Sequence, residues 1–304
     1  MTISTIWSCG ILAVRRAAAA GLCLALVAAG TPPAVAQPPG ASAWSQTLHA
    51  ALRLVDGGPD IADPALWRAG IEFRLDPNFK TYWRSPGDSG LPPVFSWGLS
   101  ENVAEVTVAW PAPYRFEDQA GSSIGYVEHV LLPLRVRLAD PRKPALLVLK
   151  VDYAICEKIC IPAKGEAQIK LSPKGQSTAH ARALDEAEAR LPKPGRLGGA
   201  GAPAVLAAAA TPDGRALTVT AKVPDTRGIV DIFTEGPDGW VFSAPMAVAT
   251  LQQPDGTRQL TYRVTVDGRP KDGRLADMPV RFTMTAGDEA IEIDARLDLA
   301  GAAH

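Results

Sequence analysis

Cysteine and histidine are both scarce in this sequence, with four of each in 304 residues. His49, His180 and His304 fall in no ligand spacing, so a histidine-rich metal centre is excluded. An excess of charge of either sign is also missing: 31 basic against 32 acidic residues give a net charge of −1. That balance offers no reason to expect nucleic acid or an anionic membrane as partner. Long apolar runs are absent too. The most apolar stretch, Ala17 to Ala29, falls short of the roughly 20 residues that cross a bilayer. No transmembrane segment is therefore expected in the mature chain, and no cofactor is expected.

What the amino terminus does contain points to export. Arg15 and Arg16 precede the apolar stretch, Pro32 and Pro33 break it, and Ala34-Val35-Ala36 has the small-x-small pattern of a signal-peptidase site. A cleavable signal over residues 1–36 and a periplasmic mature protein are expected. Cleavage would remove Cys9 and Cys23, leaving Cys156 and Cys160 as the only thiols. Two cysteines this close in an oxidising compartment are expected to pair.

The mature length favours two domains. Residues 178–191 have the composition and spacing of a short helix. The stretch from Pro192 to Ala210, rich in Pro, Gly and Ala, looks like a linker. The expected organisation is a signal at 1–36, a first domain at 37–176, a helix and linker at 177–210, and a second domain at 211–304. Both domains read as β-rich. Alternating apolar residues predict strands over 66–75, 103–110 and 130–138, then over 216–223, 228–234, 259–266, 280–285 and 290–297. The expected fold class is all-β, an antiparallel immunoglobulin-like sandwich followed by a second, smaller β-rich domain.

The chemistry centres on 145–171, an apolar run ending in Cys156, Cys160 four residues later, and a second alternating run. It reads as a hairpin whose tip carries both thiols, with Pro162 and Gly165 closing the turn. A disulfide closing so small a loop would stabilise the fold by only about 2 kcal/mol, against more than about 4 for a long loop. A weak staple at a turn tip is better suited to exchange. Lys158 and Lys164 nearby would favour thiolate, Glu157 would oppose it, and Tyr153 is a candidate to shield the sulfurs.

The segment VDYAICEKICIPAKGEAQIKL resembles the cysteine hairpin of the amino-terminal periplasmic domain of DsbD-type thiol:disulfide interchange proteins, and most of all the ScsB-like branch. FKTYWRSPGDSGLPPVFSW (79–97), WPAPYRF (110–116) and GYVEHVLLPLRV (125–136) agree in order, so that the likeness covers roughly 44–172. The resemblance implies an immunoglobulin-like sandwich. It implies that Cys156 and Cys160 take electrons from a membrane-embedded thiol carrier and pass them to periplasmic thioredoxin-like or disulfide-bearing proteins. It places 117–121 at the family's cap loop, with Asp118 matching an acidic residue there. Gln119 and Ala120 stand where the family's shielding aromatic would be, leaving Phe116 or Tyr114 to serve. The transmembrane and thioredoxin-like regions that follow in DsbD and ScsB have no counterpart in this sequence.

Two alternatives stay open. The same thiols suit Cu(I), with His129 as a third ligand, in a copper-tolerance role. Alternatively the disulfide is a staple in a non-catalytic binding module, with Trp240 and Phe242 as a contact patch or as core. Arg84 and Asp88 are further candidates to lie near the sulfurs.

Overall fold

The computed structural model describes residues 39–299 apart from 89, 119–120, 173–178, 226–227 and 277. The expected signal segment therefore lies outside the described residues. The first strands are β1 (Ser45–Thr47), β2 (Ala50–Pro59), β3 (Leu66–Leu75), β4 (Lys80–Gly87) and β5 (Val94–Ser96). Then come β6 (Val103–Val108), β7 (Tyr114–Asp118), β8 (Gly121–Val127) and β9 (His129–Leu138). The long hairpin β10 (Ala145–Cys156) and β11 (Cys160–Leu171) completes this half. One sheet runs β1-β2-β3-β9-β6; the other runs β11-β10-β4-β8-β7, with β5 also on β10. The inward residues of both sheets, among them Leu52, Leu54, Trp67, Ile71, Leu132, Leu134, Leu147 and Leu149, close one core. This is the face-to-face packing of a sandwich.

Helix α1 (Ala181–Glu188) follows. It buries Leu184 and Ala187 against Val55 and Leu131, on the outer face of β2 and β9. Arg68 reaches the Glu188 carboxylate at 3.0 Å and helps to hold it there.

The second half holds β12 (Lys193–Pro194), β13 (Ala204–Ala210), β14 (Ala216–Val223), β15 (Val230–Glu235) and β16 (Val241–Phe242). It continues with β17 (Met246–Gln252), β18 (Arg258–Gly268), β19 (Pro279–Ala286), β20 (Glu289–Arg296) and β21 (Asp298–Leu299). One sheet is β12-β20-β19-β15, the other β16-β18-β14-β13-β21, with β17 also on β18. Val205, Leu217, Val219, Val264, Phe282, Met284 and Ile293 form their shared core. Trp240 and Phe242 stack on each other at 6.1 Å and pack against it.

The stretch expected to be a linker is partly sheet. Lys193–Pro194 pairs with β20, and the alanine run is a strand inserted between β14 and β21. Small side chains with no turn signal allow a buried strand as readily as a loop, and here the neighbouring strands decide. The two halves each have a core, yet their contacts gather Gln37–His304 into one unit. Phe233 of β15 belongs to the first core, its ring 5.7 Å from Trp83. Arg84 of β4 donates to Glu235 at 2.9 and 2.7 Å and also reaches Glu292. Arg115 of β7 donates to Asp231 at 2.8 Å. An apolar ring flanked by partly buried ion pairs is what fixes one sandwich against the other. Among the described residues, no helix is long and apolar enough to cross a membrane.

Candidate functional site: the thiol pair at the hairpin end

Strands β10 and β11 pair without a register shift from Ala145↔Leu171 through Cys156↔Cys160. The strands run to the cysteines themselves, and only residues 157–159 lie between them. Pro162 and Gly165, expected in the turn, sit instead inside β11. That strand is an edge, where a residue lacking N–H is tolerated. A Cβ at Gly165 would lie 2.4 Å from Leu52 Cδ2, so the glycine serves close packing there.

Alternation along β10 sends Tyr153 and Ile155 into the core, and Ala154 and Cys156 to the opposite face. Directly opposed residues of an antiparallel pair share a face, so Cys156 and Cys160 face each other. Their Sγ atoms are 2.6 Å apart. Cys156 is buried and Cys160 exposed, at a tip where Ile159 is 76% exposed.

Strand β4 lies on the other side of β10. Ile155 pairs with Thr81 and Cys156 with Lys80, and Thr81 Oγ1 donates to the Ala154 carbonyl at 3.0 Å. This register puts Lys80 and, two residues on, Tyr82 on the face of the sulfurs. The Tyr82 hydroxyl is 2.9 Å from Cys160 Sγ, and its ring packs with Ala154 and Cys156. Lys80 is buried; its ammonium donates to Ser123 Oγ at 2.9 Å and lies 5.4 Å from the centre of the Phe116 ring.

Burial pushes the Cys156 thiol up, as does the neighbouring Cys160; the Tyr82 hydroxyl and the Lys80 charge pull the other way. Burial, and then the two sulfurs, hold the Tyr82 phenol well above its usual range. Tyr82 therefore remains a neutral O–H, able to donate to a sulfur that carries charge.

The residues expected near the sulfurs divide. Phe116 is linked to the pair through Lys80. Asp118 ends β7, its backbone paired with Gly121; its side chain, with Gln119 and Ala120, lies outside what is described. Tyr114 is 61% exposed. Tyr153 does not shield the pair: it faces the core, edge-on to Phe73 and 3.2 Å from Thr47 Oγ1. Lys158 is exposed on the tip. Lys164 pairs with Asp152 at 2.6 Å. Arg84 points to the second sandwich, and Asp88 Oδ2 accepts from Ser122 N at 3.4 Å. His129 lies 3.1 Å from Glu72. Among the described residues no group of three or more His, Cys, Asp or Glu gathers as a metal site would require, so His129 does not complete a thiolate set. Lys80, Tyr82 and Ser123 are the site residues that sequence reasoning missed or assigned to packing. The one available signal was the i, i+2 spacing of Lys80 and Tyr82.

The site is thus a cross-strand thiol pair at a hairpin end, capped by a tyrosine. Residues 62–172 match the family model described as thiol:disulfide interchange protein DsbD, N-terminal. The thiol hairpin lies within that DsbD-type segment, which marks it as a thiol–disulfide interchange module. Among solved structures, the N-terminal periplasmic domain of ScsB from Proteus mirabilis superposes with a TM-score of 0.66 at 19% identity. The match covers 86% of this chain and 100% of that one, so the likeness of fold extends over both sandwiches. An endo-fucoidan hydrolase, MfFcnA4 from glycoside hydrolase family 107, reaches a TM-score of only 0.17 at 12% identity, over 87% of this chain and 38% of that one. No curated protein matches by sequence.

Proposed function

We propose that this protein is a periplasmic electron relay, in which Cys156 and Cys160 are reduced by a membrane-embedded thiol carrier and in turn reduce periplasmic thioredoxin-like or disulfide-bearing proteins. The observation that carries this reading is the opposed pair itself, one cysteine exposed and one buried, inside a DsbD-type segment. The Cys160 thiolate attacks one sulfur of the acceptor disulfide, forming a mixed disulfide and releasing the other acceptor sulfur as a thiolate. Cys156 then loses its proton and attacks Cys160 Sγ. The Cys156–Cys160 bond forms, the mixed disulfide breaks, and the second acceptor sulfur leaves as a thiolate that takes up a proton. Two electrons have passed from the pair to the acceptor. A membrane-side dithiol reverses the sequence to reload the pair. The amino-terminal Arg15-Arg16, apolar stretch and Ala34-Val35-Ala36 support export by a cleaved signal.

The test is trapping in the periplasm of a cell expressing the protein. Cys156→Ala retains the exposed attacker without its resolving partner and should accumulate mixed disulfides with periplasmic proteins; Cys160→Ala should not. Absence of mixed disulfides from both variants would overturn the proposal.

A further inference from the structure

Resolution of the mixed disulfide needs a negative charge on Cys156, which is only 4% exposed, and burial disfavours a thiolate. Lys80 is 7% exposed, directly opposite Cys156 across the β4–β10 pair and on the same face. Ser123 Oγ accepts from its ammonium, and the Phe116 ring covers it.

The geometry points to Lys80 as a positioning residue of the exchange, its ammonium stabilising the Cys156 thiolate as that sulfur turns on Cys160. The proton lost by Cys156 ends on the leaving acceptor thiolate, and the electrons move only between sulfurs. Among the described side chains, the other titratable or charged groups around Cys156 are few. Tyr82 lies on β4, Cys160 on β11, Glu157 and Lys158 on the exposed tip, and Glu117 on β7, while β8 offers the uncharged Ser123. Of the cations in this set, Lys80 is the buried one. This inference rests on the exchange reading but fails separately from it.

The experiment uses glutathione disulfide as the probe and the purified chain with Lys80 intact or changed to Met or Arg. In a Cys160→Ala background, the pH midpoint for alkylation of Cys156 by iodoacetamide should rise by about one pH unit or more in Lys80→Met, and Lys80→Arg should restore it. With both cysteines present, the glutathione mixed disulfide of Lys80→Met should resolve about tenfold more slowly at neutral pH. If Lys80→Met does not fold, Lys80→Gln is read in the same way. A protein with Lys80 intact that never reduces glutathione disulfide would count against the exchange reading. Reduction by that protein, with an unchanged midpoint and resolution rate in the charge-removing variant, would overturn the role of Lys80 alone.

Discussion

Glu72 offers a prediction whose size follows from its surroundings. It lies on β3, 7% exposed, and accepts from Arg53 Nε at 2.7 Å and Arg74 Nη2 at 3.1 Å, with His129 Nε2 at 3.1 Å. The Arg53 and Arg74 guanidinium groups also stack on Trp44, 4.4 and 4.6 Å from its ring centre. Burial works to raise the carboxyl, but His129, Arg53 and Arg74 outweigh it and bring it from an ordinary 4.5 to about 2. Because the folded value is the lower one, the ionised group stabilises the fold fully above pH 4.5, and that stability is lost as pH falls towards 2. At about 1.4 kcal/mol per pH unit of difference, the contribution at neutral pH is about 3 kcal/mol. The same order is expected for breaking a buried ion pair. Urea unfolding of Glu72→Gln beside the unsubstituted protein should therefore show a gap of about 3 kcal/mol at pH 7, about 2 at pH 3.5 and less than about 1 at pH 2.5. Equal midpoints at pH 7, or a gap that does not narrow with acid, would refute the reasoning.

Two further outcomes test the packing. Phe233→Ala removes a ring that is 1% exposed and seated against Trp83; a loss of about 3–5 kcal/mol should lower the melting temperature by about 10 °C, and a change within about 2 °C would contradict its place in the first core. Gly125→Ala puts a Cβ 2.0 Å from the Thr81 carbonyl oxygen, a backbone clash that no rotamer relieves; a fall in the urea midpoint worth at least about 1–3 kcal/mol is expected, and an unchanged midpoint would show that β4 and β8 can part there.

Legibility in the sequence followed burial. Strands β3 and β14 match their expected bounds residue for residue, because their core positions, such as Ile71 and Phe73 or Val219 and Ala221, alternate with polar or small residues, and that difference is written as alternation. Strand β2 escaped notice because both its faces are covered: Leu52 and Leu54 meet the main core while Val55 lies under the helix. Its charges are matched internally, Arg53 by Glu72 and Asp56 by Trp67 Nε1 at 2.6 Å, so no polar stripe marks the solvent side. The thiol pair could be found by counting cysteines. Its neighbours could not, since Lys80 and Tyr82 lie more than seventy residues earlier and reach the sulfurs only through the β4–β10 pairing. Tyr153 is closer in sequence but points the wrong way, because an odd separation from Cys156 along a strand means opposite faces.

Strand β4 has a consequence beyond either sandwich. Within five residues it touches the sulfurs through Tyr82, pairs its backbone with the thiol strand at Lys80 and Thr81, backs onto Phe233 through Trp83, and anchors Glu235 and Glu292 through Arg84. At about 3.3 Å per residue, chemistry and scaffold are separated by little more than the length of one side chain. Excising the cysteine-free half would strip the ion pairs and the aromatic neighbour from the very segment that frames the thiols. Cutting the chain between the sandwiches would remove contacts of β4 one and two residues beyond Tyr82, so the framing strand keeps all its neighbours only in the two-sandwich body.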